Sequence, residues 1–386
     1  MLHWCRPYLL IYNVQHAGLV LSNSYLRMQQ RRFSLMTSRN FGVGKKSLEH
    51  TIVKECRFLN EAMADKQDIW KPFDPQFIIH NAVSNIICSV VFGNQYEYTD
   101  RHFQELLHLI DVTLKMQLYN AFPTIMKIVP GPHYTIFSNW KNVISFVKSE
   151  IRAHKEDWNP SCPRDYIDCY PDEIEKVNQS HIPVISAKFD EENLRFCVLD
   201  LSVARTETTA TTLCWALLFM TKYPEIQKKV QDEIDRVIGQ GWQHSMADRA
   251  NMPYTDAVIH EVQRMGNIVP LNLPRMATKD KLCSSKGYTD LLKFNDKNEW
   301  ETHNFNPEHF LEENGTFVRR DAFMPLSAGK RVCLGEQLAR MELFLFFTSF
   351  LQSFTISPPP GVEPSLEFKM GSALYPKELK ICAVSR

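Results

Sequence analysis

The sequence predicts a mainly α fold with small β sheets, on three observations. Gly is scarce at 14 of 386 residues while Phe reaches 24, a pairing that suits a bulky helical core better than a turn-rich sandwich. Apolar residues recur at helical spacing along several stretches, and short alternating runs appear in the C-terminal tail. Apolar types at 44% and charged types at 23% are those of a globular chain, which excludes disorder, collagen repeats and disulfide-stapled miniproteins.

Phe77, Ile78, Ala82, Ile86 and Val90 mark one packed helix, which Gly93 stops. A more polar helical region runs from Arg101 to Gln117, and Pro130-Gly131-Pro132 breaks the chain after it. Residues 155–190 are polar and proline-punctuated and read as a linker between helical blocks, with one short helix around Asp165 to Tyr170. From Glu191 to Met220 the pattern is one long helix. Pro224 opens the next, with Ile226, Val230, Ile234 and Val237 on its buried face and Gly239 at its end. Pro253 starts a third, carrying Ala257 to Met265, and after Pro274 the chain turns irregular up to Trp300. The last strong helix spans Gly335 to Phe354. Beyond it, Pro358-Pro359-Pro360 and the alternation Leu379-Lys380-Ile381-Cys382 suit a small sheet. No internal repeat and no domain-scale linker interrupts residues 1–386, so a single domain is expected.

Lys plus Arg equal Asp plus Glu at 44 each, so no global field recruits nucleic acid or an anionic membrane. The ten cysteines are dispersed, without C-x-x-C pairs or zinc spacing, and read as a reduced interior. The N-terminal apolar stretches are interrupted well before the roughly 18 residues a bilayer span needs. No signal peptide or anchor is therefore expected, and Leu213–Met220 and Leu343–Phe350 read as buried helix. The run Phe41 to Ser47 is not a phosphate loop, because Arg39 and Lys46 stand where that motif needs Gly and Ser or Thr.

The informative stretch is Phe323 to Glu336. Cys333 sits in a loop bounded by Gly329 and Gly335 at the mouth of an apolar helix, where unpaired N–H groups and the helix dipole favour a thiolate that could ligate iron. The glycines would let the backbone pass beneath a flat cofactor, and Arg331 could meet an anionic group on its edge. Taken alone, the run fits a core cysteine beside a helix start equally well. Three further features accompany it. Glu261 and Arg264 stand three apart on one helical face, a pattern that by itself suits a surface ion pair. Phe305 to Phe310 follows. Upstream, Arg205-Thr206-Glu207-Thr208-Thr209 places an acid and hydroxyls in mid-helix, where they must be solvated, hydrogen-bonded or functional.

In this order the elements resemble the cytochrome P-450 superfamily of haem-thiolate monooxygenases. The wording of Gln30 to Leu35, Asn81 to Cys88, Tyr223 to Gln227, His260 to Ile268 and Cys333 to Arg340 is similar to animal family 2, subfamily J. The resemblance implies haem b with Cys333 as axial iron ligand. It makes Glu207 and Thr208 the proton-delivering residues, sets Arg31, Arg275 and Arg331 on the haem propionates, and makes Glu261, Arg264 and His309 a structural brace. It also implies oxygenation of polyunsaturated fatty acids such as arachidonic acid, by epoxidation or hydroxylation, and of xenobiotics. Electrons would come from NADPH through a partner cytochrome P-450 reductase, at the endoplasmic reticulum membrane surface, with no nucleic-acid partner.

The resemblance runs from about Gly18 and breaks down around Lys279 to Glu299. The expected fold is therefore this family's without its N-terminal anchor and most of its first sheet. Arg27 stands where the family has Trp, Arg205 where it has Gly, and Leu326 where it has Phe against the cysteine. A truncated, non-catalytic product with weak or no haem binding is the alternative these departures leave open.

Overall fold

The computed structural model describes residues 24–65, 72–115, 133–179, 189–241, 243–270, 300, 304–329 and 332–386. Among them are ten α-helices and four short strands. In chain order the helices are α1 (Ser24–Asn40), α2 (Lys46–Ala64), α3 (Gln76–Val91), α4 (Arg101–Lys115), α5 (His133–Glu156), α6 (Tyr166–Gln179), α7 (Glu191–Lys222), α8 (Pro224–Val237), α9 (Pro253–Gly266) and α10 (Glu336–Ser353). The strands are β1 (Phe354–Ser357), β2 (Phe368–Met370), β3 (Leu374–Pro376) and β4 (Cys382–Ser385). The expected class, mainly α with small sheets, is the observed one.

Helix α7 is the spine. The Asp190 side chain caps it by accepting from Asn193 N at 2.8 Å, Glu191 and Glu192 occupy the first turn and Lys222 the last, all favourable to the helix dipole. From Thr209 to Thr221 every side chain is buried, so this half is core on all sides. It packs along α3, itself buried from Ile79 to Cys88, and against α10, which buries Met341 to Leu351 without interruption. Two glutamines fasten the tail to this core. Gln227 donates to Met220 O and Ile356 O and accepts from Ile356 N at 2.7 Å, and Gln231 donates to Phe354 O. That pins β1, whose antiparallel pairing with β4 runs from Phe354 opposite Ser385 to Ser357 opposite Cys382. The β2–β3 hairpin docks on the spine through Trp215 Nε1, which donates to Leu374 O at 2.8 Å.

The stretch from 155 to 190 corrects the sequence reading. Its helix starts at Tyr166, runs on past Tyr170 through Pro171 to Gln179, and is an anchored element with Tyr166 and Tyr170 fully buried. The polar residues that made it look like a linker are spent on each other. Arg164 forks onto Asp168 at 2.6 and 3.0 Å, and His154 of α5 meets Asp165 at 2.8 Å. The ligand atoms of His154, Asp165 and Asp168 lie within 4.8 Å of one another, but Arg164 already neutralises Asp168, so the cluster works as an ion-pair network.

Burial pulls the His154 imidazole down, but the Asp165 hydrogen bond and charge outweigh it and lift the pKa from 6.5 to about 8. A raised imidazole stabilises fully below 6.5, and the contribution is lost as pH rises through about 8. The urea midpoint is therefore expected to fall across that window in the native chain and to flatten in His154→Gln. An equal slope in both would refute the coupling.

Candidate functional site

The cysteine loop is closed by its own backbone. Ser327 N donates to Met324 O, Val332 N to Gly329 O and Cys333 N to Leu326 O at 2.9 Å, with Ser327 and Gly329 both at positive φ (66° and 70°). Ala339 N donating to Gly335 O at 2.9 Å then starts α10. The turn leaves Cys333 exposed, whereas Cys56, Cys88, Cys214 and Cys382 are buried. Burial pushes the Cys56 and Cys88 thiols far above their ordinary range, so they behave as small core hydrophobes. Arg31 of α1 reaches this loop and donates from Nη2 to Val332 O, beside the cysteine. Arg275, Arg331, the Arg27 side chain and the Lys279–Glu299 segment lie outside the described residues.

On α7 the four residues Thr206 to Thr209 part in different directions. Thr206 Oγ1 accepts from Ser84 of α3 at 3.2 Å, Glu207 Oε1 lies 3.4 Å from His80 Nε2 of α3, and Thr209 Oγ1 donates to Glu342 Oε2 of α10 at 3.2 Å. Thr208 stays partly open to solvent, donating to Ala204 O at 2.8 Å one turn back, and Ala204 is exposed. The expected hydroxyl and acid are thus brought to one turn of α7, but they face different neighbours. Composition and motifs missed His80, Ser38 and Glu342. Only Glu342 left a trace, as a charge inside the apolar run Met341 to Phe347.

Arg205 is the anomaly of the site. It is only 6% exposed, yet its Nε and Nη1 have no hydrogen-bond partner and Nη2 has a long bond of 3.4 Å to Ser38 Oγ. A Cβ placed on Gly335 would lie 3.6 Å from Arg205 Nε and 3.8 Å from Cys333 Sγ, so guanidinium and thiol border the same small gap. Burial pulls the guanidinium below its ordinary value, against the nearby Glu342, Cys333 and Tyr166. Burial likewise lifts the Glu342 carboxyl to about 8, with Arg205 and Thr209 opposing.

Of the expected brace, Glu261 and Arg264 are buried and His309 is half-buried. Arg264 forks onto Glu261, Nε to Oε2 at 2.7 Å and Nη2 to Oε1 at 2.6 Å, with both side chains 0% exposed. Asn306 N donates to Glu261 Oε1 at 2.9 Å, His309 Nδ1 lies 3.3 Å from the same oxygen, and Arg264 caps the Trp300 ring and donates to Asn304 O. Burial pushes the Glu261 carboxyl up, but Arg264, His309 and the Asn306 amide outweigh it and hold it below the ordinary range. The surface ion pair that the i, i+3 spacing alone would suit is instead a core element.

The donor chemistry fits the expected haem. An exposed sulfur stands at a helix mouth beside a glycine, and solvent-open Ala204 and Thr208 mark one face of α7. Among the described residues Arg205 works against it, because an always-charged side chain with two unmet donors borders the space beside the sulfur. Arg205→Gly is expected to raise bound haem per chain, measured on protein purified with haem supplied. Equal occupancy in the two proteins would show that Arg205 leaves the haem its room.

Comparison with known proteins agrees with this geometry. The family model for cytochrome P450 matches residues 7–289 and 293–383. Cytochrome P450 2J2 of Homo sapiens is 54% identical over 382 residues, covering 95% of this chain and 75% of that protein. Cytochrome P450 2J1 of Oryctolagus cuniculus is 52% identical and cytochrome P450 2J3 of Rattus norvegicus 50% identical, each over 96% of this chain and 75% of the relative. The chain therefore belongs to the cytochrome P450 family, as a haem b monooxygenase of family 2, subfamily J, that acts on hydrophobic substrates with electrons from a redox partner.

Proposed function

We propose that this chain oxygenates polyunsaturated fatty acids such as arachidonic acid, by epoxidation or hydroxylation, and hydrophobic xenobiotics as well. In this reading it works at the cytoplasmic face of the endoplasmic reticulum membrane with an NADPH-dependent cytochrome P-450 reductase. The observation that carries the reading is the exposed Cys333 in its closed loop, with Thr208 open to solvent on the spine. The non-catalytic alternative draws no support from the relatives.

Haem, when bound, supplies the activation of dioxygen and the transfer of one oxygen atom to substrate. The protein's residues do the rest. Cys333 would hold the iron through its sulfur, on a loop closed by its own backbone hydrogen bonds. Arg31, Arg275 and Arg331 would take the propionates, and Arg31, now donating to Val332 O, already stands beside the cysteine loop. Glu207 stores a proton in a site screened from water, and the Thr208 hydroxyl, now held by Ala204 O, passes protons on the open face. Glu261, Arg264 and His309 keep α9 and the Pro307–Phe310 turn in register behind the loop.

Thr208→Ala tests the proton role. With haem loaded and reductase present, NADPH consumption is expected to continue while oxygenated arachidonic acid falls by on the order of tenfold or more. Unchanged product per NADPH would remove Thr208 from the mechanism, and a loaded chain that oxygenates no fatty acid would remove the substrate assignment.

A further inference from the structure

We propose that His80 is a positioning residue of the monooxygenase, keeping Glu207 supplied with one transferable proton. The inference rests on the reading of Glu207 as a proton-delivering acid and extends it to a residue on another helix.

His80 sits in mid-α3, 6% exposed, and its two ring nitrogens are committed in different ways. Nδ1 lies 2.8 Å from Gln76 O. A backbone carbonyl can only accept, so Nδ1 carries a hydrogen and the neutral ring has its lone pair at Nε2. Nε2 faces Glu207 Oε1 at 3.4 Å, and Glu207 is 3% exposed. Two lone pairs cannot bond to each other, so the contact requires one proton between them, on imidazole or on carboxyl. Either placement leaves the buried pair with no net charge. A second proton, or none, would leave one net charge out of water, which is costly. The single-proton state is thereby the favoured one over a wide pH range.

Among the described residues, the charged groups nearest on the surrounding helices have partners of their own. Glu55 of α2 accepts from Tyr98 and Asn85, Asp165 takes His154, and Asp168 takes Arg164. Glu342 of α10 accepts from Thr209 and faces Arg205, whose guanidinium turns towards Ser38 and Gly335. Thr211, one turn on from Glu207, approaches the same Oε1 at 3.5 Å and steadies the carboxyl without competing for the proton.

The transfer balances simply. In the imidazolium–carboxylate form the one Nε2–H proton passes to Glu207 Oε1, leaving neutral imidazole and a carboxylic acid; the carboxyl then gives up that same proton, and solvent returns one proton to His80. No electrons move between the two residues. Because two sites sharing a proton hold it at least as tightly as either alone, removing the imidazole must release the last proton at lower pH.

The experiment compares the native chain, His80→Gln, Glu207→Gln and the double variant. Each is haem-loaded and reconstituted with reductase and arachidonic acid, and product per NADPH is read as a function of pH. For His80→Gln the basic limb of the profile is expected to move down by on the order of one pH unit, a tenfold weaker hold on the proton. The double variant is expected to be no worse than Glu207→Gln. A basic limb that stays in place in His80→Gln, or a double variant worse than Glu207→Gln, overturns the role of His80 while leaving Glu207 intact. Unchanged coupling in Glu207→Gln overturns the acid itself and the inference with it. The reduced, carbon-monoxide-bound spectrum certifies each protein, and His80→Asn replaces His80→Gln if the latter fails to load haem.

Discussion

Cys333→Ala abolishes the thiolate-type spectrum of the reduced, carbon-monoxide-bound chain, whereas Cys88→Ala and Cys214→Ala keep it. The expected difference is all or none, because Cys333 is the exposed sulfur on the closed loop and the other two are sealed in the core around α3 and α7. A buried thiol whose ionisation is pushed far up, like Cys88, offers iron no thiolate. Cys162 is also exposed, but it lies on the turn between α5 and α6 rather than on the loop before α10, and its removal is expected to leave the spectrum untouched. A thiolate spectrum surviving Cys333→Ala would place the iron elsewhere.

Arg264→Ala costs roughly 3 to 5 kcal/mol, since it strands the Glu261 carboxylate in a site with no exposure. Against a total stability of about 5 to 15 kcal/mol, that is enough to empty much of the folded pool. Arg264→Lys recovers only part, because a single ammonium cannot make the two-pronged contact to Glu261 and still lie over Trp300. Thermal midpoints of the purified proteins, with haem-loaded yield beside them, measure both. A normal midpoint with only an altered product profile would take the pair out of the framework and put it in the substrate site.

The long helices were legible because their signals are local. Pro224 and Pro253 start α8 and α9, and the apolar periods that follow them need no distant partner to be recognised. Cys333 was legible for the same reason, its glycines lying within four residues of it. The burial of Glu261 and Arg264 was not, because an i, i+3 charge pair looks alike on a surface and in a core. What encloses it, Trp300, Asn304, Asn306 and His309, arrives some forty residues later. Helix α6 was obscured by its own polarity, which is cancelled only when His154 and Arg164 close on Asp165 and Asp168. His80 left no mark at all, since its partner stands 127 residues away.

The parting of Thr206 to Thr209 between α3, the open face and α10 bears on how this chain can change over generations. Each residue added to or lost from a helix rotates everything beyond it by about 100°. A one-residue insertion between Asp190 and Thr206 would therefore swing Glu207 off His80, turn Thr208 away from the open face and pull Thr209 from Glu342, all in one event. Point substitutions can be absorbed one neighbour at a time, but a change of phase cannot. The first half of the spine is bound to keep its length, while a change of length after Lys222 moves none of the four.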